Sequence, residues 1–88
     1  MKMGMLWFDN DPKPTLRDKV LKAADHYLRK YKNYPTICYV EKSMLGDKKT
    51  ITVTGENIQI LVKPNDNVLF NHYWMGIGEL AMDNITLY

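Results

Sequence analysis

The segment from Leu16 to Tyr31 constrains the fold most, because its apolar residues recur at the spacing of one helix face. The residues of this face are Leu16, Val20, Ala23, Ala24, Tyr27, Leu28 and Tyr31. Thr15 is a suitable N-cap with Asp18 three residues on, and Asn33 is a candidate C-cap before Pro35. The sequence therefore predicts one amphipathic helix.

Segments typical of β-strands flank this helix. Met3–Phe8 and Thr36–Val40 are short, apolar, and rich in aromatic or β-branched residues. A strand, a helix and a second strand over this length predict a βαβ unit, whose two strands are parallel. The following residues, Glu41–Asp47, have room for one helical turn.

The second half of the chain has the pattern of antiparallel strands. The stretch "TITVTGENIQILVKP" predicts a hairpin with its turn at residues 54–57, and "PNDN" at 64–67 predicts a second turn. A last strand is expected within "VLFNHYWMGI", residues 68–77. The predicted fold class is α/β with α+β character: two layers, a β-α-β-β-β-β mixed sheet with one long amphipathic helix packed on one face.

The length of 88 residues predicts a single small domain, 1–88, in which residues 79–88 are a tail for an edge of the sheet or for a partner. One helix covers one face of a five-stranded sheet. The other face is then polar, or covered by the tail or by a second subunit. The aromatic run His72, Tyr73 and Trp74 favours the second subunit, so we expect a homodimer with these residues at its interface.

The composition is that of an ordinary globular protein, 45% hydrophobic and 25% charged. No apolar run approaches the roughly 18 residues that a membrane helix needs, so no membrane partner is expected. Cys38 is the single cysteine, which excludes an internal disulfide framework and favours a cytoplasmic location.

Acidic residues follow both strands of the predicted βαβ unit. Asp9 and Asp11 come after the first strand and Glu41 after the second, so all three are expected at the carboxyl edge of the sheet. Carboxylate oxygens are ligands that Mg²⁺ prefers, and a bound metal could orient phosphate and activate water. The alternative is that Asp9 and Asp11 shape the turn into the helix, as such residues do beside Pro12, and we favour this interpretation.

The predicted helix carries much of the positive charge of the chain. Residues 15–32 contain six basic and two acidic residues, whereas the whole chain has a net charge of +2. A nucleic-acid or partner-binding surface on this helix would use Arg17, Lys19, Lys22, Arg29 and Lys30. A charged outer face is also what any solvated helix presents, so nucleic-acid binding is expected to be weak at most.

No complete catalytic constellation is present in the sequence, which favours a protein that is not an enzyme. The sequence predicts a small interaction or binding module that forms a homodimer, with no resident cofactor. Two alternatives remain: a metal-dependent phosphodiesterase or nuclease with Mg²⁺ on Asp9, Asp11 and Glu41, and a weak nucleic-acid binder acting through the basic helix.

Overall fold

A computed structural model of the chain describes residues 4–78. Its elements follow in the order β1 (Gly4–Phe8), α1 (Leu16–Tyr31), β2 (Ile37–Val40), a 3₁₀ turn (Lys42–Leu45), β3 (Ile51–Gly55), β4 (Ile58–Pro64) and β5 (His72–Gly76). The five strands form one open mixed sheet with the helix packed against it, which confirms the predicted α+β fold. The tail assigned to residues 79–88 lies outside the described residues.

Local hydrogen bonds and backbone conformation define both ends of helix α1. The Thr15 hydroxyl accepts a hydrogen bond from the amide of Asp18 at 3.1 Å, which satisfies one of the free N–H groups of the first turn. The helix ends at Tyr31, and its C-cap is Lys32 rather than Asn33 as predicted, because Lys32 takes the left-handed conformation (φ 64°) and its amide donates to the Leu28 carbonyl.

The strand order in the sheet is β1-β5-β2-β4-β3. Strands β1 and β2 run in the same direction, as the βαβ prediction requires, but β5 lies between them and is antiparallel to both. Strand β4 pairs parallel with β2 and antiparallel with β3. Among residues 4–78, the sheet therefore ends in two edge strands, β1 and β3.

The core lies between α1 and one face of the sheet. Val20, Ala23, Ala24 and Tyr27 are buried on the helix, and they pack with residues from all five strands. The strand members of this core are Met5, Cys38, Val40, Val53, Ile60, Val62, Tyr73 and Met75. No helix among residues 4–78 is long and apolar enough to cross a membrane.

The last strand is shorter than predicted. Val68–Asn71 belong to a loop rather than to the strand, and only His72–Gly76 pair in the sheet. Two turns hold this loop, one closed by the amide of Val68 on the Asn65 carbonyl and one by the amide of His72 on the Leu69 carbonyl. Asn71 has a positive φ of 66°, which strand geometry excludes. Apolar content alone made this segment resemble a strand.

Candidate functional site

The face of the sheet opposite α1, called here the outer face, carries an apolar surface at its β1 end. Side chains alternate across a strand, so the residues between the core positions point to this face. At the β1 end these are Leu6 and Phe8 from β1, and His72 and Trp74 from β5. Leu6 and Phe8 are 56% and 55% exposed, and Leu69 and Phe70 of the neighbouring loop are 70% and 59% exposed. Single exposed apolar side chains are ordinary, but a cluster indicates a binding surface.

A groove of about 460 Å³ opens within this surface. Its residues are Leu6, Trp74 and His72 on the sheet, and Asn65, Asn67, Val68 and Leu69 on the loop between β4 and β5. None of these side chains carries a carboxylate, an ammonium or a guanidinium group. The groove is therefore an apolar site with a small number of polar groups, which is the usual character of a small-molecule site.

The loop that forms one wall of the groove is fixed by hydrogen bonds at both ends. Asn65 donates its amide to the Val40 carbonyl at 2.9 Å, and its side-chain oxygen accepts from the amide of Asn67 at 2.8 Å. At the other end, the Asn71 amide donates to the sulfur of Met44, and the Asn71 carbonyl accepts from the amide of Asp9. The wall is therefore held in place before any ligand binds.

His72 is oriented by two contacts. Its Nδ1 lies 2.9 Å from the Phe70 carbonyl oxygen, and its ring packs against the ring of Phe8 with centroids 4.9 Å apart. A carbonyl oxygen can only accept, so Nδ1 must carry the proton in this contact. In the neutral imidazole Nε2 is then an acceptor.

Trp74 lines the groove and lies next to the start of β1. A Cβ added at Gly4 would lie 2.7 Å from Cζ2 of the Trp74 indole, so the indole packs directly on the glycine backbone. This approach needs a residue without a side chain at position 4.

The structure gives Asp9 and Asp11 local hydrogen-bond partners. Oδ1 of Asp9 accepts from the amide of Asp11, and Oδ1 of Asp11 accepts from the amide of Lys13, each at 3.0 Å. These are two consecutive Asx turns, the geometry expected when such residues lead a strand into a helix.

Glu41 also has a local partner. Its carboxylate accepts hydrogen bonds from the hydroxyl and the amide of Ser43, and these bonds lower the pKa of Glu41. Within residues 4–78, no group of three or more His, Cys, Asp or Glu side chains is arranged to hold a metal ion. Asp9, Asp11 and Glu41 therefore do not form such a group.

Several of the basic residues of α1 interact with the protein itself. Arg17 donates to the Thr54 carbonyl at 2.9 Å, and Arg29 forms an ion pair with Asp25 at 3.0 Å. Lys19 is only 8% exposed, and its ammonium group lies 3.4 Å from the Asp9 carbonyl oxygen. Lys22 and Lys30 are exposed, with the Lys30 ammonium 5.3 Å from the Tyr31 ring centroid. Lys19 is therefore not part of an exposed basic surface, whereas Arg17, Lys22, Arg29 and Lys30 are exposed on α1.

The three residues expected at a subunit interface divide between the two faces of the sheet. His72 and Trp74 lie on the outer face and line the groove. Tyr73 points to the helix and is 1% exposed in the core. The sequence could not indicate Leu6, Phe8 and the 65–71 loop as neighbours of these residues, because that depends on where β5 inserts.

Comparison of the chain with protein-family models, with curated proteins and with solved structures gives no match.

Proposed function

We propose that this protein is an interaction module that self-associates through edge strand β1. The observation that carries the proposal is a set of outward-facing backbone groups on an exposed, uncharged strand. An unpaired edge of this kind is a template for pairing with another chain.

The hydrogen-bond pattern of β1 identifies these backbone groups. Asp9 and Asn71 are opposite each other, and the Asp9 amide donates to the Asn71 carbonyl at 3.0 Å. Hydrogen-bonded pairs alternate along an antiparallel ladder, so Met5 and Trp7 bond to β5 while Gly4, Leu6 and Phe8 direct their N–H and C=O groups outward. The outward carbonyl of Gly4 accepts from the hydroxyl of Tyr31 at 3.2 Å, a contact made by the last turn of α1.

The side chains of β1 leave this edge unprotected. Proteins usually guard an edge strand with lysine, proline or a bulge, but the segment Gly4–Phe8 contains neither a charged residue nor a proline. At the opposite edge, the Thr54 carbonyl of β3 already accepts from the guanidinium of Arg17. Strand β3 also lacks charged residues and proline, but its exposed side chains are Thr52 and Thr54, whereas those of β1 are the apolar Leu6 and Phe8. Burial of this apolar surface therefore favours pairing at β1.

A second copy of this chain fits the edge because the edge can pair with itself. In an antiparallel arrangement with Trp7 on the two-fold axis, Leu6 of each copy lies opposite Phe8 of the other copy. This register uses all four outward groups of Leu6 and Phe8 and does not need the Gly4 carbonyl. It also joins the exposed side chains of Leu6 and Phe8 from both copies into one apolar strip without bringing like charges together.

The short length of β1 limits the strength of this association. In this register the two strands overlap over three residues, Leu6–Phe8, and this pairing, with two exposed apolar side chains from each copy, buries less surface than the roughly 1,200 Å² of a small specific interface. We therefore expect a reversible homodimer with a dissociation constant in the micromolar range.

Sedimentation velocity over a concentration series from about 1 μM to 1 mM tests the proposal. The variant Leu6→Lys places a charge on the edge, and we expect it to remain monomeric. Thr52→Lys is the matched control, since it adds the same charge to an exposed position of the outer face on the other edge strand. We expect this control to dimerise like the unmodified protein. A protein that stays monomeric throughout, or equal dimerisation of all three proteins, would overturn the proposal.

A further inference from the structure

We propose that the groove on the outer face binds a neutral, planar aromatic molecule that carries one hydrogen-bond donor. This inference goes beyond self-association. The two proposals share Leu6, whose side chain lines the groove and also belongs to the apolar strip of the proposed dimer, whereas the other groove residues belong to β5 and the 65–71 loop.

The size and lining of the groove support a small apolar ligand. A volume of about 460 Å³ is within the range of sites that bind small molecules. Trp74, whose indole is the kind of ring on which flat aromatic molecules stack, lines the groove together with the apolar side chains of Leu6, Val68 and Leu69. Such a lining favours a flat aromatic body.

The electrostatic character of the groove favours a neutral ligand. The polar residues that line it within the described part of the chain are two amides and one imidazole, and none of them supplies a fixed charge to compensate an ionic group. An ion that left water for this groove would lose hydration without a partner of opposite charge.

The donor on the ligand follows from the hydrogen bonds already made inside the protein. Asn65 uses its side-chain oxygen for the amide of Asn67, and His72 uses Nδ1 for the Phe70 carbonyl. His72 is left with Nε2, which accepts in the neutral imidazole. The side-chain amide of Asn67 can donate or accept a hydrogen bond, so the preference for a donor on the ligand rests on His72.

The experiment uses two probes that differ only in this donor: indole, which has an N–H group, and 1-methylindole, in which it is replaced. Each is titrated into the full ¹⁵N-labelled chain and followed by amide spectra. We expect saturable shifts at Val68, Leu69, His72 and Trp74, with indole bound about three- to tenfold more tightly, as one net hydrogen bond implies.

Three variants test the roles of individual residues. His72→Phe keeps a ring in contact with Phe8 but removes the acceptor, so it should bind both probes equally. Leu69→Ser changes a highly exposed wall residue and should weaken both probes. Tyr34→Ser is the control, because Tyr34 is an exposed aromatic residue that does not line the groove; it should leave both affinities unchanged.

Saturable shifts at the groove, together with a preference for indole that disappears in His72→Phe, would support the proposal. The absence of saturable shifts at these residues would overturn it. Equal binding of the two probes to the unmodified protein, or a preference that persists in His72→Phe, would also overturn it, because the ligand donor would then not be recognised by His72.

Discussion

The indole of Trp7 stacks on the imidazole of His26, with ring centroids 4.2 Å apart and an interplanar angle of 26°. This contact joins edge strand β1 to the middle of α1. The indole Nε1 of Trp7 is buried, and the described residues give it no hydrogen-bond partner. An unsatisfied buried donor costs about 1–3 kcal/mol, so Trp7 combines a stabilising contact with a destabilising one.

Replacing Trp7 by phenylalanine should therefore change stability little. Trp7→Phe keeps an aromatic ring against His26 and removes the unsatisfied N–H, and we expect the free energy of unfolding to change by less than about 1 kcal/mol. Trp7→Ala removes the ring itself and should cost about 3 kcal/mol. Urea unfolding of both variants measures the difference. Equal losses in the two variants would contradict this account of Trp7.

The Asx turn at Asp9 predicts that the acceptor oxygen of this side chain contributes more to the stability of the fold than its negative charge does. Asp9→Asn keeps the oxygen that accepts from the amide of Asp11, so we expect its free energy of unfolding to stay within about 0.5 kcal/mol. Asp9→Ala leaves that amide without its partner and should cost about 1 kcal/mol. Asp47→Ala, at an exposed position, is the control and should have little effect.

The same Asp9 variants separate the turn from a metal site. A ligand that binds only the folded chain raises its stability, so a Mg²⁺ site would raise the melting temperature in a way that depends on the carboxylate. We expect millimolar Mg²⁺ to leave the melting temperature of the unmodified protein unchanged, and likewise that of Asp9→Asn. Stabilisation of the unmodified protein alone would support the metal interpretation of Asp9.

The buried tyrosine of β5 predicts a loss of stability at alkaline pH. Burial, assisted by the negative charge of Asp9, raises the pKa of Tyr73 to about 12. An unfolded chain ionises its tyrosines near pH 10. Between about pH 10 and 12 the unfolded chain therefore loses a proton that the folded chain retains, and the free energy of unfolding falls as the pH rises.

Tyr73→Phe removes the titrating hydroxyl, so its stability should fall less steeply over the accessible part of this range. Urea unfolding between pH 8 and 11 measures the slope directly. The control is Tyr34→Phe, at an exposed position, which should keep the slope of the unmodified protein. If Tyr73→Phe and the unmodified protein had the same slope, Tyr73 would not be the group responsible.

The elements with strong local signals could be predicted from the sequence, and the candidate site could not. Helix α1 has a periodic apolar face and a hydrogen-bonded cap at Thr15, both of which are visible in the sequence. The 3₁₀ turn and the β3–β4 hairpin were also predicted. These features depend on residues that are close together in the chain.

The groove depends on contacts between distant parts of the chain. It forms because β5 inserts between β1 and β2, which places Trp74 beside Leu6, and because the 65–71 loop folds over them. Lys19 illustrates the same limit: its position in the sequence predicts a place on the basic surface of the helix, but it lies against the end of β1, with its ammonium group 3.4 Å from the Asp9 carbonyl oxygen. No local pattern contains this information.

The most direct test of edge pairing is an isotope-filtered NOE measurement on a mixture of labelled and unlabelled protein at a concentration where the chain is dimeric. With Trp7 on the two-fold axis, the Trp7 residues of the two copies form a non-hydrogen-bonded pair, in which the Cα atoms lie about 4.5 Å apart. The account predicts intermolecular cross-peaks between the two Trp7 Hα protons and between the side chains of Leu6 and Phe8. Intermolecular cross-peaks confined to other residues, such as those of α1 or the 65–71 loop, would contradict it.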